Sequence, residues 1–143
     1  MKRSRGDALK RTRIKPQSER TRDREAEARP WRQQRVKDYG KCWICGTCPE
    51  KPIHPIADHN RICVHEIANV GGMRQRAMDK PFATLVLCWK CNLDVEGPEW
   101  PEVRQLALLQ SKVPEDYDLV AYNELVGFGP NRIEQWEVDE WRF

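Results

Sequence analysis

Residues 84–94 read TLVLCWKCNLD, an apolar run that ends in a Cys-x-x-Cys pair followed by an asparagine. A short apolar run bounded by turn signals is typical of a buried strand. Two cysteines separated by two residues can chelate one metal ion through a tight turn, so Cys88 and Cys91 form half of a predicted metal site. The segment therefore predicts a buried strand that leads directly into a metal-bound turn.

A second pair, Cys42 and Cys45 in CWICG, supplies the other half, and Gly46 follows it as such turns often require. Four thiolates in a tetrahedron suit zinc, and a closed four-ligand site is structural rather than catalytic. A cytosolic redox dithiol is the competing interpretation, but two separated pairs fit zinc better. Cys48 and Cys63 are interpreted as bystanders, although Cys48 lies close enough in sequence to replace one ligand.

The bulk composition predicts a soluble, cytoplasmic protein with a small core. The chain has 143 residues, of which 33% are charged, and a mean hydropathy of −0.81. Its apolar runs are only a few residues long, far short of the roughly 20 that span a membrane. The basic N-terminus is not followed by an apolar stretch, so no secretory signal is expected. In a reducing compartment, cysteines are metal ligands or free thiols rather than disulfides.

Charge divides the chain into a basic arm and an acidic body. Residues 1–37 hold 14 Lys/Arg and 5 Asp/Glu, whereas the remaining residues hold 11 Lys/Arg and 17 Asp/Glu. Such an arm either meets a polyanion, most plausibly nucleic acid, or acts as a solubilising tail. Its charges alternate in sign from Ser18 to Arg29, which permits a solvated helix up to Pro30. The rest of the arm has too few aliphatic residues to fold alone.

The two cysteine pairs are separated by 42 residues, enough to form further secondary structure between them. RICVHEIANV (61–70) and FATLVLC (82–88) each predict a strand, with Gly71-Gly72 as the turn between them. Downstream, WPEVRQLALLQSK (100–112), PEDYDLVAYNELVGFG (114–129) and NRIEQWEVDEWRF (131–143) each predict a helix, the last capped by Asn131. The sequence thus predicts an α+β fold with three parts, 1–37, 38–100 and 101–143.

Residues 42–95 resemble the HNH endonuclease superfamily, in particular its zinc-clipped phage and bacterial members. The shared order is a cysteine pair, a strand with adjacent polar residues (His65-Glu66), a glycine turn, a second strand, and a cysteine pair followed by Asn92. The resemblance implies a small ββα-metal domain stabilised by the four cysteines, with a helical C-terminal extension. It also implies an enzyme of a bacterial or phage-infected cell that hydrolyses DNA phosphodiesters.

The resemblance further implies one divalent ion, Mg²⁺ or another, at the scissile phosphate. His65, Glu66 and Asn92 are then the catalytic candidates. By register His65 takes the ligand position and Glu66 the base position; by chemistry His65 is the better base, with Glu66 and Asn92 as ligands of the ion. Arginines are expected to hold DNA phosphates. The candidates are Arg74 and Arg76 in the turn and Arg32 and Arg35 in the arm.

The sequence departs from the family pattern at two positions. The asparagine that braces the loop between the strands in the family would fall near Ala83 or Thr84, and the final histidine is replaced by Asn92. Asn92 can still bind a hard cation through its carbonyl oxygen. The missing middle asparagine supports an alternative, a non-catalytic zinc module that binds nucleic acid or a protein partner. His54 and His59, upstream of the first strand, are outside the motif, and His59 is a minor candidate for the site.

Overall fold

The computed structural model describes residues 18–46, 61–68, 73–127 and 132–143. They form a small α+β fold, as predicted, built around one two-stranded antiparallel sheet. The predicted Gly71-Gly72 turn and Asn131 cap, together with Cys48, His54 and His59, lie outside the described residues. The elements are α1 (Glu19–Tyr39), β1 (Ile62–Glu66), α2 (Met73–Ala77), β2 (Thr84–Cys88), α3 (Trp89–Val95), α4 (Glu102–Lys112), α5 (Leu119–Val126) and α6 (Gln135–Asp139).

The hairpin of β1 and β2 is the centre of the fold. The two strands pair with His65 opposite Leu85. All five residues of β2 are buried, because helices cover the sheet and the first cysteine turn covers the free edge of β2. At that edge the backbone N–H of Trp43 donates to the Val86 carbonyl over 2.9 Å. The first cysteine turn is thereby attached to the strand that carries the second.

Helix α3 begins within the second cysteine pair, three residues before the position that follows Cys91. It starts at Trp89, and Cys88 caps it by accepting a hydrogen bond on Sγ from the Cys91 N–H over 3.4 Å. A thiol sulfur thus replaces the usual oxygen of an N-cap side chain. No loop separates β2 from α3, so the strand, the cysteine pair and Asn92 are one continuous unit.

Helix α1 crosses the predicted boundary at residue 37 and does not end at Pro30. Ser18 caps it by accepting from the Thr21 N–H, and Pro30 lies within it. A proline inside a helix removes one backbone hydrogen bond, so the helical turns after it must be held by packing. The Arg35 side chain provides this packing. This side chain is only 7% exposed, pairs with Asp116 at 2.8 Å, and contacts three aromatic rings, those of Trp31, Tyr39 and Trp43.

The C-terminal extension contains three helices, as predicted, but the second is shorter than the pattern suggested. α5 begins at Leu119, where Asp118 accepts from the Ala121 N–H, rather than near residue 114. Ile133 and Val138 are buried in the core, whereas Trp136 and Trp141 are exposed. Of the helices described, none has both the length and the apolar character needed to cross a bilayer.

Candidate metal and catalytic site

Four cysteines converge where the first cysteine turn meets the β2–α3 junction. The Sγ atoms of Cys42, Cys45, Cys88 and Cys91 all lie within 4.8 Å of one another. The sulfurs of Cys45 and Cys88 are 3.7 Å apart. That separation is far longer than the roughly 2.05 Å of a disulfide. It is close to the edge of about 3.8 Å in a tetrahedron of thiolates 2.3 Å from a zinc ion. The cluster could therefore hold a metal ion such as zinc.

The first cysteine turn has the backbone that such a site requires. Gly46 has φ +71°, a left-handed conformation that side chains with a Cβ rarely adopt, and its N–H donates to the Cys42 carbonyl. This closes the turn and directs both sulfurs to one side. Three of the four cysteines are buried, and Cys45 is exposed.

Cys63 stands apart from the cluster, as predicted. Its Sγ donates to the Leu87 carbonyl across the hairpin over 3.4 Å. Burial raises the pKa of the Cys63 thiol to about 11. The side chain is therefore a neutral thiol near pH 7 and a poor metal ligand or nucleophile.

His65, at the end of β1, lies between two amide side chains from different helices. Its Nδ1 is 2.9 Å from Oδ1 of Asn92 on α3, and its Nε2 is 3.0 Å from Oε1 of Gln105 on α4. The hairpin register and the direct β2–α3 junction bring His65 and Asn92 together across 27 residues of sequence. The resemblance predicted this pair, but the sequence analysis missed Gln105. Its signal was a polar residue directly before four buried apolar residues, 106–109.

The surroundings of His65 favour a neutral ring beside a cavity. The side chain is 4% exposed, and burial lowers its pKa, while the hydrogen bonds to Gln105 and Asn92 act in the opposite direction. A cavity of about 400 Å³ lies next to it, and its lining also includes Arg74, Glu96 and Glu102. The arrangement places beside this polar cavity a neutral imidazole whose two nitrogens each face an amide oxygen.

Glu66 faces away from this pocket, contrary to its expected place beside Asn92. Successive side chains of a strand point to opposite faces, so His65 and Glu66 cannot both face α3. The Glu66 carboxylate instead forms an ion pair with Arg32 of α1. Arg32 also donates to the Val64 carbonyl over 2.7 Å. The two side chains therefore fasten α1 to β1, and the structure does not bring Glu66 to the predicted ion.

This geometry predicts that Glu66→Gln affects stability rather than chemistry. Replacing the carboxylate weakens a charge-assisted hydrogen bond, so the free energy of unfolding should fall by about 1–2 kcal/mol. Any DNA cleavage by the protein should change by less than about threefold, an effect too small for loss of a metal ligand. Urea unfolding and plasmid cleavage measure the two effects.

Arg32→Gln is the matched control, because it breaks the same pair from the other side. The double variant should be less destabilised than the sum of the two single variants, since both remove one interaction. A folded Glu66→Gln protein that has lost cleavage would show that Glu66 takes part in the reaction.

The four arginines predicted to contact DNA occupy different environments. Arg74 lines the His65 cavity and pairs with Glu96 at 3.2 Å, which leaves it the best placed of the four. Arg76 is exposed on α2. Arg32 is engaged with Glu66, and the buried Arg35 cannot reach a phosphate while it is paired with Asp116. The prediction for Arg35 is therefore corrected: it anchors α1 to the core.

Thr84 stabilises the turn at which the family pattern places an asparagine. It is fully buried, and its hydroxyl donates to the Lys80 carbonyl over 3.0 Å. The neighbouring Ala83 carbonyl accepts from the Ile67 N–H over 2.9 Å. A side-chain hydroxyl and a backbone hydrogen bond thus hold the described residues just before β2 in place without an asparagine.

No family model, curated protein or solved structure matches the chain. The functional argument therefore depends on the geometry of the two sites and on the resemblance of the motif.

Proposed function

We propose that the protein is a metal-dependent HNH-type endonuclease that hydrolyses phosphodiester bonds in DNA. The observation that carries the proposal is the 2.9 Å approach of His65 Nδ1 to Asn92 Oδ1, at a hairpin–helix junction clamped by four cysteines. These are the two positions that, by the register of the motif, would hold the catalytic ion. Zinc is proposed for the four-cysteine cluster, where its role is structural.

The donor set at His65 fits a divalent cation. Two ligands on adjacent corners of an octahedron are about 3.0 Å apart when each is 2.1 Å from the metal. The His65–Asn92 separation already matches that edge. An amide oxygen suits Mg²⁺ or Mn²⁺, and an imidazole nitrogen suits transition ions. We therefore assign the ion to His65 and Asn92 rather than to Glu66 and Asn92.

Such an ion would polarise a phosphoryl oxygen and stabilise the charge on the leaving oxygen. The chain's own residues supply the rest of the binding site. Arg74 offers a guanidinium to a phosphate at the mouth of the cavity, and this contact requires it to exchange Glu96 for the phosphate. The carboxylates of Glu96 and Glu102 line the same cavity and are the available acceptors for a proton from water.

The basic arm supports a nucleic-acid substrate. Residues 1–37 carry a net charge of +9, which attracts a polyanion independently of its sequence. On α1, Arg29 and Lys37 line a groove against β1, on the side of the hairpin that carries Glu66. DNA held by the arm would thus contact the domain at more than the His65 cavity.

A non-catalytic zinc module that binds nucleic acid is the second candidate. The observation that favours it is the position of Glu66, which leaves the proposed ion with no carboxylate ligand on β1. Without that carboxylate the two protein ligands proposed for the ion, His65 and Asn92, are both neutral, and hard cations bind less tightly to neutral oxygens than to carboxylates.

Supercoiled plasmid distinguishes the two functions. Wild-type protein with intact zinc is incubated with plasmid and Mg²⁺ or Mn²⁺, and both nicking and band shifts are measured. We expect cleavage that requires the added ion and falls at least tenfold in Asn92→Ala, because the ion loses one of its two protein ligands. Lys90→Ala, on an exposed part of the same helix, is the matched control. Plasmid binding with no cleavage in either ion would instead assign the protein to the binding class.

A further inference from the structure

Gln105 is held in one orientation by the backbone beneath it. Its Nε2 donates to the Trp100 carbonyl over 2.9 Å. Because the amide nitrogen is used there, the carbonyl oxygen Oε1 is the atom presented to His65 Nε2, 3.0 Å away. An amide oxygen only accepts hydrogen bonds. The hydrogen atom between the two side chains must therefore be carried by His65 Nε2.

This assignment determines the protonation state of the other ring nitrogen, Nδ1. A neutral imidazole has one N–H, so a ring protonated on Nε2 has a bare lone pair on Nδ1. That lone pair points at the amide of Asn92. In the structure the Asn92 atom that faces this lone pair is Oδ1, 2.9 Å away, which is the arrangement in which the two atoms share a cation. Without a cation, the amide would turn and donate from its nitrogen. A cation ligand and a proton acceptor both require Nδ1 in this unprotonated form.

We propose that Gln105 is a positioning residue that holds His65 in the Nε2–H tautomer and so keeps Nδ1 free to bind a divalent cation beside Asn92. Metal-binding histidines commonly donate their second N–H to an acceptor that sets the tautomer and ring orientation. Here the acceptor comes from α4, outside the segment that resembles the nuclease family. The part of the inference that concerns the cation rests on the proposed function, whereas the tautomer does not.

The C-terminal extension supports Gln105 through Trp100. The Trp100 ring stacks on the Phe143 ring, with the two centroids 5.9 Å apart. The Arg104 guanidinium lies 3.8 Å from the centroid of the Trp100 ring. The Trp100 N–H donates to the Gly97 carbonyl. The backbone carbonyl that orients Gln105 is thereby fixed from several sides. Phe143, 38 residues after Gln105, thus helps to hold the backbone that orients Gln105 beside His65.

Nitrogen NMR on the full chain tests the proposal directly. Protein labelled with ¹⁵N-histidine is examined at pH 8, where an ordinary histidine is neutral, by long-range ¹H–¹⁵N correlation. The chain has three histidines, and the His65 signals are those missing from His65→Ala. We expect a protonated Nε2 and an unprotonated Nδ1 in the wild type. Mn²⁺ affinity is measured by titration calorimetry on the same samples.

Three variants separate positioning from packing. Gln105→Met removes the acceptor at similar length, so a mixture of tautomers and a 10- to 100-fold loss of Mn²⁺ affinity are expected. Gln105→Glu restores an acceptor and should restore the Nε2–H tautomer. Gln110→Met, further along α4, should behave as wild type. Zinc content and thermal unfolding establish that each variant is folded.

Two outcomes would overturn the proposal: a wild-type ring protonated on Nδ1, or a Gln105→Met protein that keeps the wild-type tautomer. Because the first needs no variant, the proposal is decided even where Gln105→Met does not fold. Failure of the proposed function gives a different pattern. The tautomer would still depend on Gln105, which supports the positioning role, but the wild type would neither bind Mn²⁺ at His65 nor cleave DNA.

Discussion

Removal of the metal from the four-cysteine cluster is expected to unfold the hairpin and α3 together. The cluster joins the first cysteine turn to the β2–α3 junction, and the covered edge of β2 depends on that join. Structural zinc contributes roughly 10–16 kcal/mol of apparent binding free energy in small zinc domains. A whole domain is stable by only about 5–15 kcal/mol. The binding free energy lost with the ion is therefore larger than the stability that the small remaining core can supply.

The measurement is thermal unfolding by circular dichroism, before and after chelation under reducing conditions, with zinc counted by a colorimetric assay. We expect one zinc per chain and loss of the cooperative transition in the chelated protein. Cys91→Ser should reproduce that loss without chelator. Cys63→Ser is the matched control, because Cys63 lies on the same hairpin but outside the cluster. A Cys91→Ser protein that retains zinc and unfolds at the same temperature as the wild type would contradict the four-cysteine assignment.

His65→Ala is expected to lower the rate of DNA cleavage by about 10³-fold. The substitution removes the imidazole that, in the proposed site, holds the divalent ion with Asn92, and metal-ion stabilisation of a transition state is a several kcal/mol effect. The zinc cluster should survive, because it draws no ligand from β1. The rate of plasmid nicking, compared at saturating Mn²⁺ and at equal zinc content, measures the effect.

Replacing a buried histidine also leaves Asn92 and Gln105 without their partner, so stability must be separated from chemistry. His65→Gln retains an amide that can bond to both neighbours, and it should melt closer to wild type while remaining inactive. His54→Ala, a substitution of the same kind outside the motif, should leave cleavage unchanged. If folded His65→Ala cuts as fast as wild type, the assignment of the site to His65 is wrong.

Much of the hairpin could be predicted from local sequence patterns, because the residues that favour a strand or a helix act over a short range. The apolar run before Cys88 predicted β2, and the proline and apolar spacing after residue 100 predicted α4. The length of α1 could not be predicted in the same way. Local propensity favours ending a helix before Pro30, but burial of Arg35 against Asp116 and three aromatic rings outweighs one missing hydrogen bond.

The candidate site divides in the same manner. The motif order predicted that His65 and Asn92 would meet, since a hairpin and an adjoining helix bring their positions together. The sequence analysis expected both His65 and Glu66 at the ion and left open only which of the two is the ligand. The sheet decides it, because alternation along β1 gives one face to each residue, and Arg32 of α1 occupies the face of Glu66.

By itself, the amino-acid sequence determined the four cysteines of the predicted metal cluster from their spacing and the two strands from local patterns, and it placed Asn92 at the site through the resemblance of the motif. Only the tertiary structure decided that Arg35 is structural, that Glu66 lies apart from the site, and that Gln105 contacts His65. Gln105 is 40 residues from His65 along the chain. No local pattern encodes that contact, because it arises when α4 packs against the hairpin and its backbone fixes the direction of one amide.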